Sequence, residues 1–176
     1  MKQAINRRIA IRNLLIIAGG TMVLPACFRE SGKSTIKLTN LSVSEEDEHL
    51  LAELTETIIP ASDSPGGKDL LLHLFVLKMV DDCHSPEDQQ VFSQGLSLFV
   101  SWSEQQLGKP YLQASPSDRA ALLSSISESG KEKIVSFFGI LKRRTIQGYM
   151  NSQYVMTNLV KYELIPGRYN GYAKAI

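Results

Sequence analysis

Two tetrapeptides, Ser85-Pro86-Glu87-Asp88 and Ser115-Pro116-Ser117-Asp118, constrain the fold of this chain more than any other feature. Each places a serine, whose hydroxyl can accept from a backbone N–H three residues on, before a proline at the first helical position, where an N–H would have no partner anyway. Apolar residues follow at helical spacing: Phe92, Leu96, Phe99 and Val100 after the first, Ala121, Leu122 and Ile126 after the second. Gly108-Lys109-Pro110 stops one of these helices and Gly130 the other.

The remaining segments repeat the pattern. Ser44 precedes three acids, Glu45 to Asp47, and Leu50, Leu51, Leu54 and Ile58 then recur on one face until Pro60. Leu70 to Val80 is apolar enough for a largely buried helix that ends over Asp81 to Ser85, and Lys131 to Met150 carries another through Ile134, Val135, Phe137, Phe138, Leu141 and Thr145. A shorter helix is expected over Tyr154 to Val160. No stretch alternates apolar and polar residues as a half-buried strand would, and the connections are short. The expectation is therefore an all-α fold: one compact domain of five to six helices over residues 44–176, with 43% hydrophobic residues in a 176-residue chain supplying its core.

The chain begins differently. Residues 1–26 carry four charges, Lys2, Arg7, Arg8 and Arg12, all positive, followed by the mostly apolar run 14–24 and small Ala26. That is the layout of an export signal, and eleven residues at 1.5 Å rise cover only about half of a ~30 Å hydrocarbon core. Asn6-Arg7-Arg8-Ile9-Ala10-Ile11-Arg12 resembles a twin-arginine translocation motif, with Ala10 where phenylalanine is usual; the general secretory route is the alternative. Leu24-Pro25-Ala26-Cys27 resembles a bacterial lipobox, which would make Cys27 the acylated first residue of the mature protein, held to the membrane on the periplasmic side of the envelope. Residues 27–43 are then expected to be a lipid-anchored linker. Without the signal, 15 basic residues stand against 18 acidic ones, so the body is mildly acidic and has no basic stripe for nucleic acid. Cys83 would be left alone, unable to form an internal disulfide, and is expected to be a small buried hydrophobe.

Motifs for chemistry fail on inspection. Gly32-Lys33-Ser34-Thr35 resembles the end of a phosphate-binding loop, but Cys27 stands where that loop needs its first glycine. Glu46 with His49, and Asp81 with His84, have the acid-x-x-His spacing of di-iron bundles. His49 falls beside the apolar face and His84 at a helix end, so both are expected on the surface, while His73 is expected to be buried and neutral. There is no G-x-S-x-G elbow, no G-x-G-x-x-G turn and no paired cysteine motif, so neither catalytic machinery nor a cofactor or metal site is expected on this chain. What remains is a group of loop prolines and aromatics: Pro60, Asp63 and Pro65 in one loop, Tyr149 at a helix end, and Tyr162, Pro166, Tyr169 and Tyr172 in the tail. Tyrosines in proline-braced segments suit a protein interface.

Several segments in this order, Glu56-Thr57-Ile58-Ile59-Pro60-Ala61-Ser62-Asp63-Ser64-Pro65-Gly66, Asp82-Cys83 with Pro86 to Gln89, Phe92 with Gly95-Leu96, Phe137-Phe138 with Leu141-Lys142, Gly148-Tyr149, and Pro166 to Gly171, resemble the gluconate 2-dehydrogenase subunit 3 family. The resemblance spans about Glu45 to Tyr172. It implies a non-catalytic small subunit that binds and stabilises a large flavin-dependent dehydrogenase of the glucose-methanol-choline type and escorts it through export. FAD would sit on that partner, and haem c on a cytochrome c subunit that often completes such complexes. The lipobox-like Cys27 departs from the family and would make this member a membrane tether. A stand-alone helical envelope lipoprotein, binding a small ligand or envelope component, is the alternative.

Overall fold

In the computed structural model the described residues are 34–160, 162 and 167. They lie in the second of the two units into which the chain divides, 32–176. Five α-helices form there: α1 (Glu45–Ile58), α2 (Leu72–Cys83), α3 (Pro86–Leu107), α4 (Pro116–Ser125) and α5 (Glu132–Met150). Short 3₁₀ turns occupy Tyr111–Gln113 and Ile126–Glu128, and the segment expected as a last short helix is a π-helical turn over Val155–Leu159. No strand occurs among the described residues, so the all-α expectation holds.

The helix starts read from the sequence are present as hydrogen bonds. The Ser85 and Ser115 hydroxyls accept from the backbone N–H of Asp88 and Asp118, each at 3.2 Å, with proline opening the helix in both cases. Ser44 accepts from Asp47 N–H at 3.0 Å while the Asp47 carboxylate accepts from the Ser44 N–H, a reciprocal capping box. Such caps contribute about 1 kcal/mol each. Gly108, at φ 67°, ends α3 in the left-handed conformation that suits glycine.

The core is centred on α3 against α5. Phe92, Phe99 and Phe137 are fully buried, with Phe92 and Phe137 ring centroids 5.1 Å apart, and Tyr111 stands edge-on to Phe99 at 5.5 Å. Gly95 makes this possible, because a Cβ there would run into Phe137 Cβ and the Lys133 carbonyl. Leu51, Leu54, Val76, Leu77, Val80 and Leu141 complete the centre from α1, α2 and α5.

Four expectations need correction. The second helix starts at Leu72 and not Leu70, because Leu71 adopts φ 51°, ψ 38° and breaks the run; its end at Cys83 falls within the expected Asp81 to Ser85. Val100 and Ala121 face solvent, and the buried places go to Trp102 and Leu123. Cys83, on the outer face of α2, is exposed and not a core residue. The linker expected over 27–43 is not free over 34–43: Leu41 is buried and Ile36, Leu38 and Val43 pack against the core.

That segment is a strap held by two buried carboxylates. Asp81, only 1% exposed, accepts from the backbone N–H of Thr39 (2.8 Å), Asn40 (2.6 Å) and Leu41 (2.9 Å), while Asn40 Nδ2 donates to the Asp81 carbonyl. Glu48 accepts from the N–H and the hydroxyl of Thr35. Thus the Asp81 of the Asp81/His84 pair is a structural acceptor. Burial alone would raise the Asp81 carboxyl, but the three backbone donors, aided by Lys78, outweigh it and hold the group below the ordinary aspartate range. A depressed carboxylate stabilises the fold above its unfolded pKa, and that contribution is lost as pH falls through the folded value. Stability should therefore decline below about pH 3.9 through Asp81. Asp81→Ala, which strands three backbone donors including the buried Leu41 N–H, should cost about 2–3 kcal/mol at pH 7 and abolish that acidic component, as urea titrations across pH would record.

Candidate partner interface

The loop after α1 is built by Glu56. Its carboxylate accepts from Ala61 N–H through Oε1 and Lys68 N–H through Oε2, both at 2.9 Å, closing the loop on the end of the helix that precedes it. Gly66 and Gly67 pack where no side chain fits: a Cβ on Gly66 would meet the Glu56 carboxylate, and one on Gly67 the Thr55 carbonyl. Gly67 N–H donates to Ile59 O at 2.8 Å, Gly66 N–H to the Asp69 carboxylate at 3.1 Å, and Ser62 N–H to Ser64 O at 3.0 Å. The loop is thereby ordered from within while its tip stays in solvent.

Of the predicted interface residues, Pro60 and Asp63 are exposed on this tip and Pro65 is half-buried below it. Tyr149, in the last turn of α5, donates its hydroxyl to Ser64 Oγ at 3.1 Å and joins the loop to α5. Phe75 of α2 lies against Gly148 in the same region, where a Cβ would stand 2.7 Å from its Cδ1. Pro60, Asp63, Pro65 and Tyr149 therefore belong to one end of the helical body. Tyr162, 54% exposed, follows the π-helical turn and donates its N–H to Met156 O. Pro166 and Tyr169, like Arg7, Arg8 and Cys27, lie outside the described residues.

Sequence reasoning missed the apolar residues around this loop. Among the described residues Leu71 is the non-glycine residue with positive φ, and it is 54% exposed, so a leucine in a strained conformation points its side chain to solvent. Ile146 and Met150, one turn apart on the outer face of α5, are 44% and 51% exposed. Leu71 could have been suspected only from its place between Gly66-Gly67 and an apolar run, and Ile146 and Met150 from their position opposite the Leu141–Thr145 face.

A cleft of about 490 Å³ runs between the end of α1, α4 with its following 3₁₀ turn, and α5, with Ile58, Leu123, Val135 and Phe138 among its apolar walls and Lys142 on its rim. A second, of about 430 Å³, lies between the start of α1 and α3, with Leu50, Val100 and Tyr111 beneath Glu46, Asp47 and Glu104.

A comparison with protein-family models matches residues 45–167 to the family described as gluconate 2-dehydrogenase subunit 3. The chain belongs to the gluconate 2-dehydrogenase subunit 3 family. The match covers α1 to α5 and the Glu56-closed loop, and the family description names a subunit of a dehydrogenase complex. No curated protein and no solved structure matches the chain.

The titratable groups of this family member serve its architecture. Glu53 is ion-paired with Lys68 and Arg119; burial would raise its carboxyl, and the two cations bring it below the ordinary range. Arg119 also donates to the carbonyls of Tyr111 (3.0 Å) and Leu112 (2.6 Å) and lies over the Tyr111 ring. Burial pushes the Tyr111 phenol up to about 12, so it remains a neutral donor to Thr57 Oγ1. His49 is exposed as expected, and His73 is buried, with burial lowering its pKa against the opposing pull of Glu48. His84 departs from the surface expectation: its ring is only 7% exposed, accepting from Arg144 Nε at 2.9 Å with Asp88 3.4 Å away. No group of three or more metal-ligating side chains occurs among the described residues.

Removing the Glu56 clamp should loosen the loop without unfolding the body. Glu56→Ala is expected to speed amide hydrogen exchange at Ala61 and Lys68 about tenfold or more and to cost about 1–2 kcal/mol in global stability.

Proposed function

We propose that this chain is the non-catalytic subunit that binds, stabilises and escorts through export a flavin-dependent sugar or alcohol dehydrogenase of the glucose-methanol-choline type, and tethers it to the membrane through Cys27. The observation that carries the reading is the loop over 60–67: a segment ordered by Glu56 and its glycines, with Pro60 and Asp63 exposed, beside solvent-facing Leu71 and Met150. An interface ordered before it meets its partner loses less conformational freedom on binding. Exposed apolar side chains at such a site gain by being covered.

In this reading FAD and the catalytic base belong to the large subunit, and haem c to a third, cytochrome c subunit. The signal carrying Arg7 and Arg8 takes the folded pair to the periplasmic side of the envelope, where acyl chains on Cys27 hold it. In this reading the tail residues Tyr162, Pro166 and Tyr169 are partner contacts as well.

The chain recovered under a tag from its native host should bring a stoichiometric large subunit with flavin absorbance. A colourless protein eluting alone would defeat the proposal and favour the stand-alone lipoprotein. Replacing Arg7 and Arg8 by lysine should stop export of both subunits, as fractionation and immunoblotting would show; unchanged export would assign the signal to the general secretory route. Leu71→Gly should relieve the left-handed strain, raising stability by about 1 kcal/mol while weakening the large subunit's binding about tenfold.

A further inference from the structure

Gly139 sits in the middle of α5 and faces solvent, where glycine disfavours a helix relative to alanine. The other glycines of the helical core explain themselves: Gly95 gives way to Phe137 and Gly148 to Phe75. Gly139 does not, since a Cβ built there meets nothing within 4 Å among the described residues. Nothing among the described residues requires the missing side chain, and Gly139 lines the cleft of about 490 Å³ between α1, α4 and α5.

The surroundings of that cleft have a definite chemistry. Val135, Phe138 and Ile58 offer apolar surface, and Val135, Gly139, Lys142, Ile146 and Met150 follow one another along α5 at spacings of three and four residues, a seam of the kind a second helix packs against. Lys142 is the charged residue on the rim, Arg143 is next to it, and neither is paired with a carboxylate among the described residues. Among the described residues no acid lines the cleft. It is also continuous with the Glu56-closed loop: Ile58 at the cleft is two residues from Pro60, and Lys142 is two turns from Tyr149, whose hydroxyl meets Ser64.

We propose that this cleft receives an amphipathic helix of the large subunit, one whose apolar face covers Val135, Phe138 and Ile146, whose backbone passes closest at Gly139, and whose carboxylate meets Lys142. The assignment rests on the accessory-subunit reading and names the contact that reading leaves open. The missing Cβ lets the two backbones approach, as Gly95 does within the core, and the unpaired cation selects an acidic partner over a basic one.

The test uses the flavoprotein complex recovered with the full-length chain, dissociated and rebound to immobilised wild-type and variant chains. Gly139→Leu adds a side chain into open space, so the free protein should keep its helical circular dichroism and melting temperature while its affinity for the flavoprotein falls about a hundredfold. Lys142→Glu should weaken binding about tenfold and reduce its salt dependence. Hydrogen exchange over residues 135–146 should slow in the complex. Binding unchanged in both variants, with the flavoprotein still captured by the wild type, would overturn the cleft assignment and leave the accessory role standing. Failure of the wild type to capture any flavoprotein would overturn both. A free chain that dimerises with 135–146 protected would give the cleft to a second copy instead.

Discussion

The close approach of α3 to α5 at Gly95 is the constraint from which the rest of the domain follows. With no side chain at that position, Phe137 reaches into α3, and Phe92 and Phe99 close around it. These rings fix the separation and angle of the two longest helices, and α1 and α2 then have one surface to cover, which they do with Leu51, Leu54, Val76 and Leu77. The outer face of α5 is left over from this arrangement. A helix that buries Ile134, Phe137, Leu141 and Thr145 on one side has its other side free for different use.

Much of the fold was legible because the chain marks its helix starts locally. A serine hydroxyl three residues ahead of an N–H, followed by proline, needs no tertiary context to be recognised, and both such sites begin helices at the expected residue. Periodicity located the core of α3 and α5 for the same reason, but not which neighbours would be covered at the edges of a face, so Val100 is exposed while Trp102, which no pattern singled out, is buried. The strap over 34–43 was illegible because polar residues without period read as solvent-exposed chain, and only the folded body reveals that Asp81 and Glu48 supply the donors' partners. His84 was misplaced likewise, since Arg144 comes from 60 residues away.

The candidate interface was half legible. Pro60, Asp63 and Pro65 stand out as turn residues in any reading, and the family resemblance drew attention to the same loop. Leu71 and Gly139 did not stand out, because their interest lies in conformation and empty space: one is a leucine at φ 51°, the other a helical glycine with nothing beside it. Both are small departures from what the fold alone would choose, and both lie on the side of the molecule where α1, α2 and α5 meet the loop. Departures of this kind collect where a surface serves something other than its own stability.

The strap also gives the domain a defined load path. Along the described residues, tension from the N-terminal side would meet the Thr35–Glu48 contact, then the three amides on Asp81, then the Ser44 capping box. These fasteners lie in series, so tension would release them one after another while the aromatic centre of α3 and α5 stays unloaded. Arranged so, the strap has the form of a strain relief, like the clamp where a cable enters its plug: its fasteners are on α1 and α2, apart from α5 and the 60–67 loop.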